Sequence, residues 1–119
     1  MASLTTHVLD TAQGKPAAGM AVRLVKINPL PETLVTLKTV VTNQDGRVDT
    51  PLLTEADMQV GVYELWFEVG AYFRQQGLAV SDPPFLDQVP IRFAIGDPAA
   101  HYHVPLLVSP WSYTTYRGS

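Results

Sequence analysis

Two histidines set two residues apart near the end of the chain, His101 and His103, are the first residues here whose types and spacing could do chemistry. They open the run His101-Tyr102-His103-Val104-Pro105-Leu106-Leu107-Val108, which is rich in β-branched and aromatic residues and reads as a strand. On a strand the two rings point to one face. Imidazole titrates near neutrality and serves as acid, base or metal ligand. A metal needs at least a third donor. The chain has no cysteine and the nearby carboxylates are limited to Asp97, so no bound metal is expected. Ser109-Pro110 then breaks the run, and a second short strand ends in Tyr116-Arg117-Gly118-Ser119, with a cation, a glycine and a hydroxyl at its tip.

Two more residues could join such a site. His7 lies in Leu4-Thr5-Thr6-His7-Val8-Leu9-Asp10. Strand alternation puts Leu4, Thr6 and Val8 on one face and Thr5, His7 and Leu9 on the other. Taken alone, His7 is most simply a surface or hydrogen-bonded structural histidine. Arg47 follows the tight-turn pair Asp45-Gly46. A lone arginine at a hairpin end is most simply solvated, yet its fork can clamp a carboxylate, an oxyanion or a polar heterocycle. Other chemistries lack a signal. There is no Gly-x-Ser-x-Gly elbow, no glycine-rich phosphate loop, and the 11 scattered acidic residues form no specific pair.

The elements that must position these residues are mostly short strands. Met20, Val22 and Leu24 alternate with Arg23 before Asn28-Pro29-Leu30-Pro31 breaks the run. In Leu34 to Val41, Val35, Leu37 and Val41 stand opposite Thr36 and Lys38, which predicts a strand with one wet face. Arg47 to Leu53 reads as a further short strand. Tyr63, Leu65, Phe67 and Val69 face away from Glu64 and Glu68, and Val89, Ile91, Phe93 and Ile95 alternate with Arg92 and Ala94. Ala71 to Gln76 predicts one short helix, with Gly77 as its C-terminal cap. About eight strands at this spacing predict an all-β, antiparallel two-sheet sandwich with one short helix.

Length and composition agree. The 119 residues suit a single domain spanning 1–119, 46% of them are hydrophobic and 16% charged, and prolines and glycines punctuate the apolar runs. A net charge of −3 with spread-out basic residues argues against nucleic acid as a partner. No apolar run is long enough to span a membrane, and the first residues lack the charged and apolar regions of a signal peptide, so a cytoplasmic protein with no membrane partner is expected.

Leu4-Thr5-Thr6-His7-Val8-Leu9-Asp10, Asp45-Gly46-Arg47, His103 with Val104-Pro105-Leu106-Leu107, and the terminal Tyr116-Arg117-Gly118-Ser119 together resemble the 5-hydroxyisourate hydrolases of the transthyretin-like family. The likeness keeps the family's motif order from residue 4 to residue 119. It implies a cofactor-free hydrolase of urate catabolism that converts 5-hydroxyisourate to 2-oxo-4-hydroxy-4-carboxy-5-ureidoimidazoline. It implies His7, Arg47, His103 and Ser119 as catalytic residues, with Tyr116, Arg117 and Gly118 joining His7, Arg47 and Ser119 around the substrate. By the same likeness, one histidine acts as base toward water, Arg47 stabilises the developing charge, and the assembly is a homotetramer, a dimer of dimers with its sites in a channel between subunits. The alternative is a transthyretin-like carrier of a small aromatic ligand of the thyroid-hormone type. A carrier has no need of the histidine–arginine–histidine set or the terminal tetrapeptide.

Overall fold

The computed structural model describes residues 2–78 and 80–119. In chain order the elements are β1 (Ser3–Thr5), β2 (Val8–Asp10), β3 (Lys15–Pro16), β4 (Ala21–Pro29), β5 (Glu32–Val41), β6 (Gly61–Glu68), α1 (Val69–Gln75), β7 (Gln88–Ile95), β8 (His101–His103), β9 (Leu106–Val108) and β10 (Tyr113–Thr115). One layer is the antiparallel sheet β5-β4-β6-β7. The other is β10-β9-β2-β3, extended by the pair β1-β8. Backbone bonds from Val104 N–H to the Thr5 carbonyl (3.0 Å) and from Leu106 N–H to the His7 carbonyl (2.9 Å) carry the ladder across the gap between the two pairs. The N-terminal segment therefore lies beside the last histidine-bearing segment along its whole length.

The core sits where alternation places it. Leu4, Thr6 and Val8 are buried, and so are Met20, Val22, Leu24, Tyr63, Leu65, Phe67, Val69, Val89, Ile91 and Ile95. Helix α1 begins two residues before the expected Ala71 and carries Tyr72 and Phe73 into the core. Gly77, at φ +75°, follows it in the left-handed conformation that a C-terminal cap favours.

Four features depart from alternation. First, Arg47 to Leu53 forms no strand. Leu53 alone bridges to Leu4, because the Asn43 side chain accepts the Asp45 and Arg47 N–H groups and Pro51 has none to give. Second, β5 does not turn Val35, Leu37 and Val41 inward: Val40, opposite buried Val22, packs on the core, while Val35 and Val41 stand opposite Lys26 and Ala21, and Leu34, Val35, Leu37 and Val41 are all exposed. Third, β1–β8 and β2–β9 pair in parallel, although the rest of the sandwich is antiparallel. Fourth, Glu64, on the outer face, is buried. Trp66 Nε1–H and Arg92 Nε–H donate to its two carboxylate oxygens at 2.9 and 2.8 Å, and both side chains lie over it. No helix among the described residues is long and apolar enough to cross a membrane.

Candidate active site

His7 is presented outward because its neighbour is held inward. The Thr6 hydroxyl donates to the Val104 carbonyl at 2.7 Å, and Thr6 and Val8 are both buried. That leaves the ring of His7 beside the turn at 43–47. Asn43 closes this turn: its N–H donates to the Arg47 carbonyl at 2.7 Å and its carbonyl accepts from Gly46 N–H at 2.9 Å. Gly46 is required twice over. Its φ is +74°, and an added Cβ would overlap the Val8 carbonyl oxygen where the turn packs on β2. The Gly46 carbonyl in turn accepts from Val8 N–H at 2.8 Å. The turn is thus fastened to the strand directly after His7, and Arg47 is set beside it.

The contact between turn and ring fixes the state of His7. Its Nε2 lies 2.8 Å from the Asp45 carbonyl oxygen, which can only accept, so Nε2 carries the hydrogen. In the neutral ring Nδ1 is then the basic nitrogen. Burial and then the Arg47 charge lower the pKa of His7 below its ordinary value, while the carbonyl bond and the charge of Asp45 pull the other way.

His103 is held from two sides. The parallel register places Thr5 opposite it, with Thr5 Oγ1 2.8 Å from Nδ1. On the other side the chain terminus returns as an antiparallel bridge, Gly118 N–H donating to the His103 carbonyl at 2.7 Å. A Cβ on Gly118 would run into Cδ2 of the His103 ring. Only glycine lets the terminus lie flat against the imidazole. Burial, then Arg47, then the neighbouring His101 and His7, lower the pKa of His103. Both rings are therefore neutral at pH 7 and available as base or hydrogen-bond partner.

Arg47 makes no side-chain hydrogen bond or ion pair among the described residues, and it acts electrostatically on both histidines. A guanidinium without a carboxylate partner beside two neutral imidazoles suits a developing negative charge. No cluster of three or more histidine, cysteine, aspartate or glutamate side chains suited to a metal occurs among the described residues.

Three of the four residues expected to be catalytic, His7, Arg47 and His103, thus lie near enough within one chain for Arg47 to act on both rings. Ser119 follows Gly118 next to His103, exposed and with no hydrogen bond of its own among the described residues. Tyr116 and Arg117 turn elsewhere. They line a hollow of about 340 Å³ with Ile91, Phe93, Tyr102 and Val104. The Arg117 guanidinium lies 4.2 Å from the centre of the Tyr102 ring and donates to the His101 carbonyl at 3.2 Å. These two side chains hold the terminal segment rather than face the imidazoles. Sequence reasoning missed Thr5 and the backbone carbonyl of Asp45. A hydroxyl two residues before a histidine and the aspartate of a turn are too common to single out.

Residues 4–118 match the HIUase/Transthyretin family. A 5-hydroxyisourate hydrolase of Ralstonia nicotianae is 57% identical, with all of both chains covered. Among solved structures, the 5-hydroxyisourate hydrolase of Klebsiella pneumoniae superposes with a TM-score of 0.81 at 35% identity and full coverage of both chains. Sea bream transthyretin in complex with thyroxine gives a TM-score of 0.85 at 30% identity, covering 98% of this chain and 94% of its own. The order of motifs, the sandwich and these likenesses together place the chain in the HIUase/Transthyretin family.

Proposed function

We propose that this chain hydrolyses 5-hydroxyisourate to 2-oxo-4-hydroxy-4-carboxy-5-ureidoimidazoline. The observation that carries the reading is the convergence of two neutral imidazoles on an unpaired guanidinium, in a chain 57% identical to a protein of that activity. Water adds to the carbonyl carbon of an amide-type C–N bond. That step needs a base for the water, a cation or donor for the oxyanion, and a proton for the departing nitrogen. His7 is the general base, because the Asp45 carbonyl occupies its Nε2–H and leaves Nδ1 to accept a proton. Arg47 stabilises the oxyanion. His103 orients the substrate and supplies a hydrogen bond to it. Ser119 closes the pocket and Gly118 shapes it against the His103 ring, while Tyr116 and Arg117 line a separate hollow and act on the site only through the terminal segment. No cofactor enters these steps.

The working assembly is a homotetramer built as a dimer of dimers. Strands β7 and β10 are both edges of their sheets, and Tyr113 and Tyr116 are exposed at and beyond β10. Such edges are commonly covered by pairing across a two-fold axis. Sedimentation reads the mass directly, and a fully active monomer would dismiss the shared-site arrangement.

The deciding experiment generates 5-hydroxyisourate in situ from urate with urate oxidase and follows its ultraviolet absorbance. Decay well above the spontaneous rate, abolished in His103→Ala, is the expected result. No acceleration from a folded sample would reject the hydrolase reading and turn attention to calorimetry with thyroxine, the ligand of the sea bream protein.

A further inference from the structure

We infer that Thr5 is a positioning residue for this reaction: its hydroxyl donates to Nδ1 of His103 and holds the neutral ring as the tautomer that carries its proton on Nε2. The inference rests on the hydrolase reading for its catalytic consequence, while the Oγ1–Nδ1 contact stands on geometry and its direction on the chemistry of the hydroxyl.

Thr5 and His103 are direct partners in the parallel β1–β8 register, and Oγ1 lies 2.8 Å from Nδ1. A β-branched side chain on a strand has a restricted χ1, so the hydroxyl keeps its place. Nδ1 of His103 is the only hydrogen-bond partner of this half-buried hydroxyl among the described residues. A hydroxyl with one protein partner loses more by leaving its hydrogen unshared than by leaving a lone pair free. Nδ1 is therefore the acceptor. In a neutral ring that puts the hydrogen on Nε2. The Gly118 backbone against Cδ2 blocks the ring from swinging away, so Thr5 and Gly118 define the ring plane between them.

The consequence is a division of labour between the two histidines. The carbonyl of Asp45 takes the Nε2–H of His7 and leaves that ring a lone pair on Nδ1. The hydroxyl of Thr5 takes the lone pair of Nδ1 on His103 and leaves that ring a donor on Nε2. One imidazole receives a proton from water. The other offers a hydrogen bond to the oxyanion or the departing nitrogen. Two neutral histidines with their outward nitrogens in the same state could not do both.

The test removes the hydroxyl and keeps the shape. Thr5→Val is expected to lower kcat about tenfold with KM within about twofold, the size of effect seen when a partner that orients a functional histidine is removed. Thr5→Ser is expected to restore kcat to within about twofold. Long-range ¹⁵N–¹H spectra of the labelled wild-type protein, with His103 assigned by its loss in His103→Gln, should show the Nε2–H tautomer, and Thr5→Val should lose it. Wild-type kcat in Thr5→Val would overturn the inference, as would an Nδ1–H tautomer for His103 in the wild type. A wild-type protein that fails to accelerate 5-hydroxyisourate decay would strike down the hydrolase reading with the catalytic consequence, while the spectrum still judges the Thr5 hydrogen bond separately.

Discussion

Ser3–His101 and Thr5–His103 are the same construction repeated along one pair of strands. In each, a hydroxyl on β1 meets Nδ1 of the histidine opposite it on β8, at 2.7 Å and 2.8 Å. The two rings lie nearly parallel, 12° apart with centres separated by 6.3 Å. What differs is the surroundings. His101 is exposed and its own carbonyl is taken by Arg117. His103 is half-buried, pressed by Gly118 and influenced by Arg47, by His101 itself and by His7. A hydroxyl–imidazole pair therefore fixes a ring but does not make it a reactive group. On the proposed mechanism, burial and a nearby unpaired cation do that.

The largest effect expected from breaking this asymmetry comes from the reactive side. His103→Ala and Arg47→Ala should each lower turnover by at least about two orders of magnitude while circular dichroism stays that of the wild type. His101→Ala, which removes the look-alike ring, should stay within about threefold of wild type, since the group is exposed. Equal losses in His101→Ala and His103→Ala would erase the distinction between the two rungs.

Next in size is the backbone that only one rung has. Gly118→Ala places a methyl group against the His103 ring and should cost at least about tenfold in kcat, the scale of a displaced orienting contact. Gly96→Ala offers the control, because its added Cβ meets open space just ahead of the same strand. Steady-state kinetics on the two variants compares them directly. A Gly118→Ala enzyme with unchanged kcat would show that the ring tolerates displacement.

How far the sequence could see follows the same division. Alternation along Leu4–Asp10 puts Thr6 inside and His7 outside, as observed, because it depends only on the two-residue strand period. The His101–His103 shared face is legible for the same reason. The partners of those rings are not, since Ser3 and Thr5 stand 98 residues away and nothing local states which strand lies alongside, or that it runs parallel. Gly118 shows the limit from another side. It has no left-handed backbone angle to betray it, and its reason for being glycine is a ring that only the folded chain brings near. Arg47–Leu53 misled because alternation cannot register the Asn43 side chain capturing the N–H groups of Asp45 and Arg47. Only resemblance gathers His7, Arg47, His103 and Ser119 into one set, because no local pattern links four positions so far apart in the chain.

Burial and Arg47 lower the pKa values of His7 and His103, so both rings take up their proton at a lower pH than a free imidazole does. On the proposed mechanism the active form is the deprotonated one. The profile of kcat/KM against pH should therefore fall on the acid side, with its midpoint lower than that of an unperturbed histidine. Arg47→Gln deletes a lowering influence shared by both rings, so imidazole titrations followed by NMR should move upward for His7 and His103 together. A shift confined to one ring would separate Arg47 from the other.

The smallest effect is expected at the silent rung. Ser3→Ala removes the hydroxyl that binds His101 Nδ1, just as Thr5→Val removes the one that binds His103. Yet His101 is exposed, and water can take over the vacated nitrogen without reorienting anything near Arg47. Ser3 itself is largely buried, so the stability cost is that of one side-chain hydrogen bond, about 0.5–1.5 kcal/mol. Turnover should remain within about twofold of wild type, with a thermal midpoint lower by a few degrees at most. The pair of variants is informative because the chemistry deleted is the same in both. A tenfold loss of kcat in Ser3→Ala would mean that His101 takes part after all, and that the two rungs work as one unit rather than as a reactive ring and its inert copy.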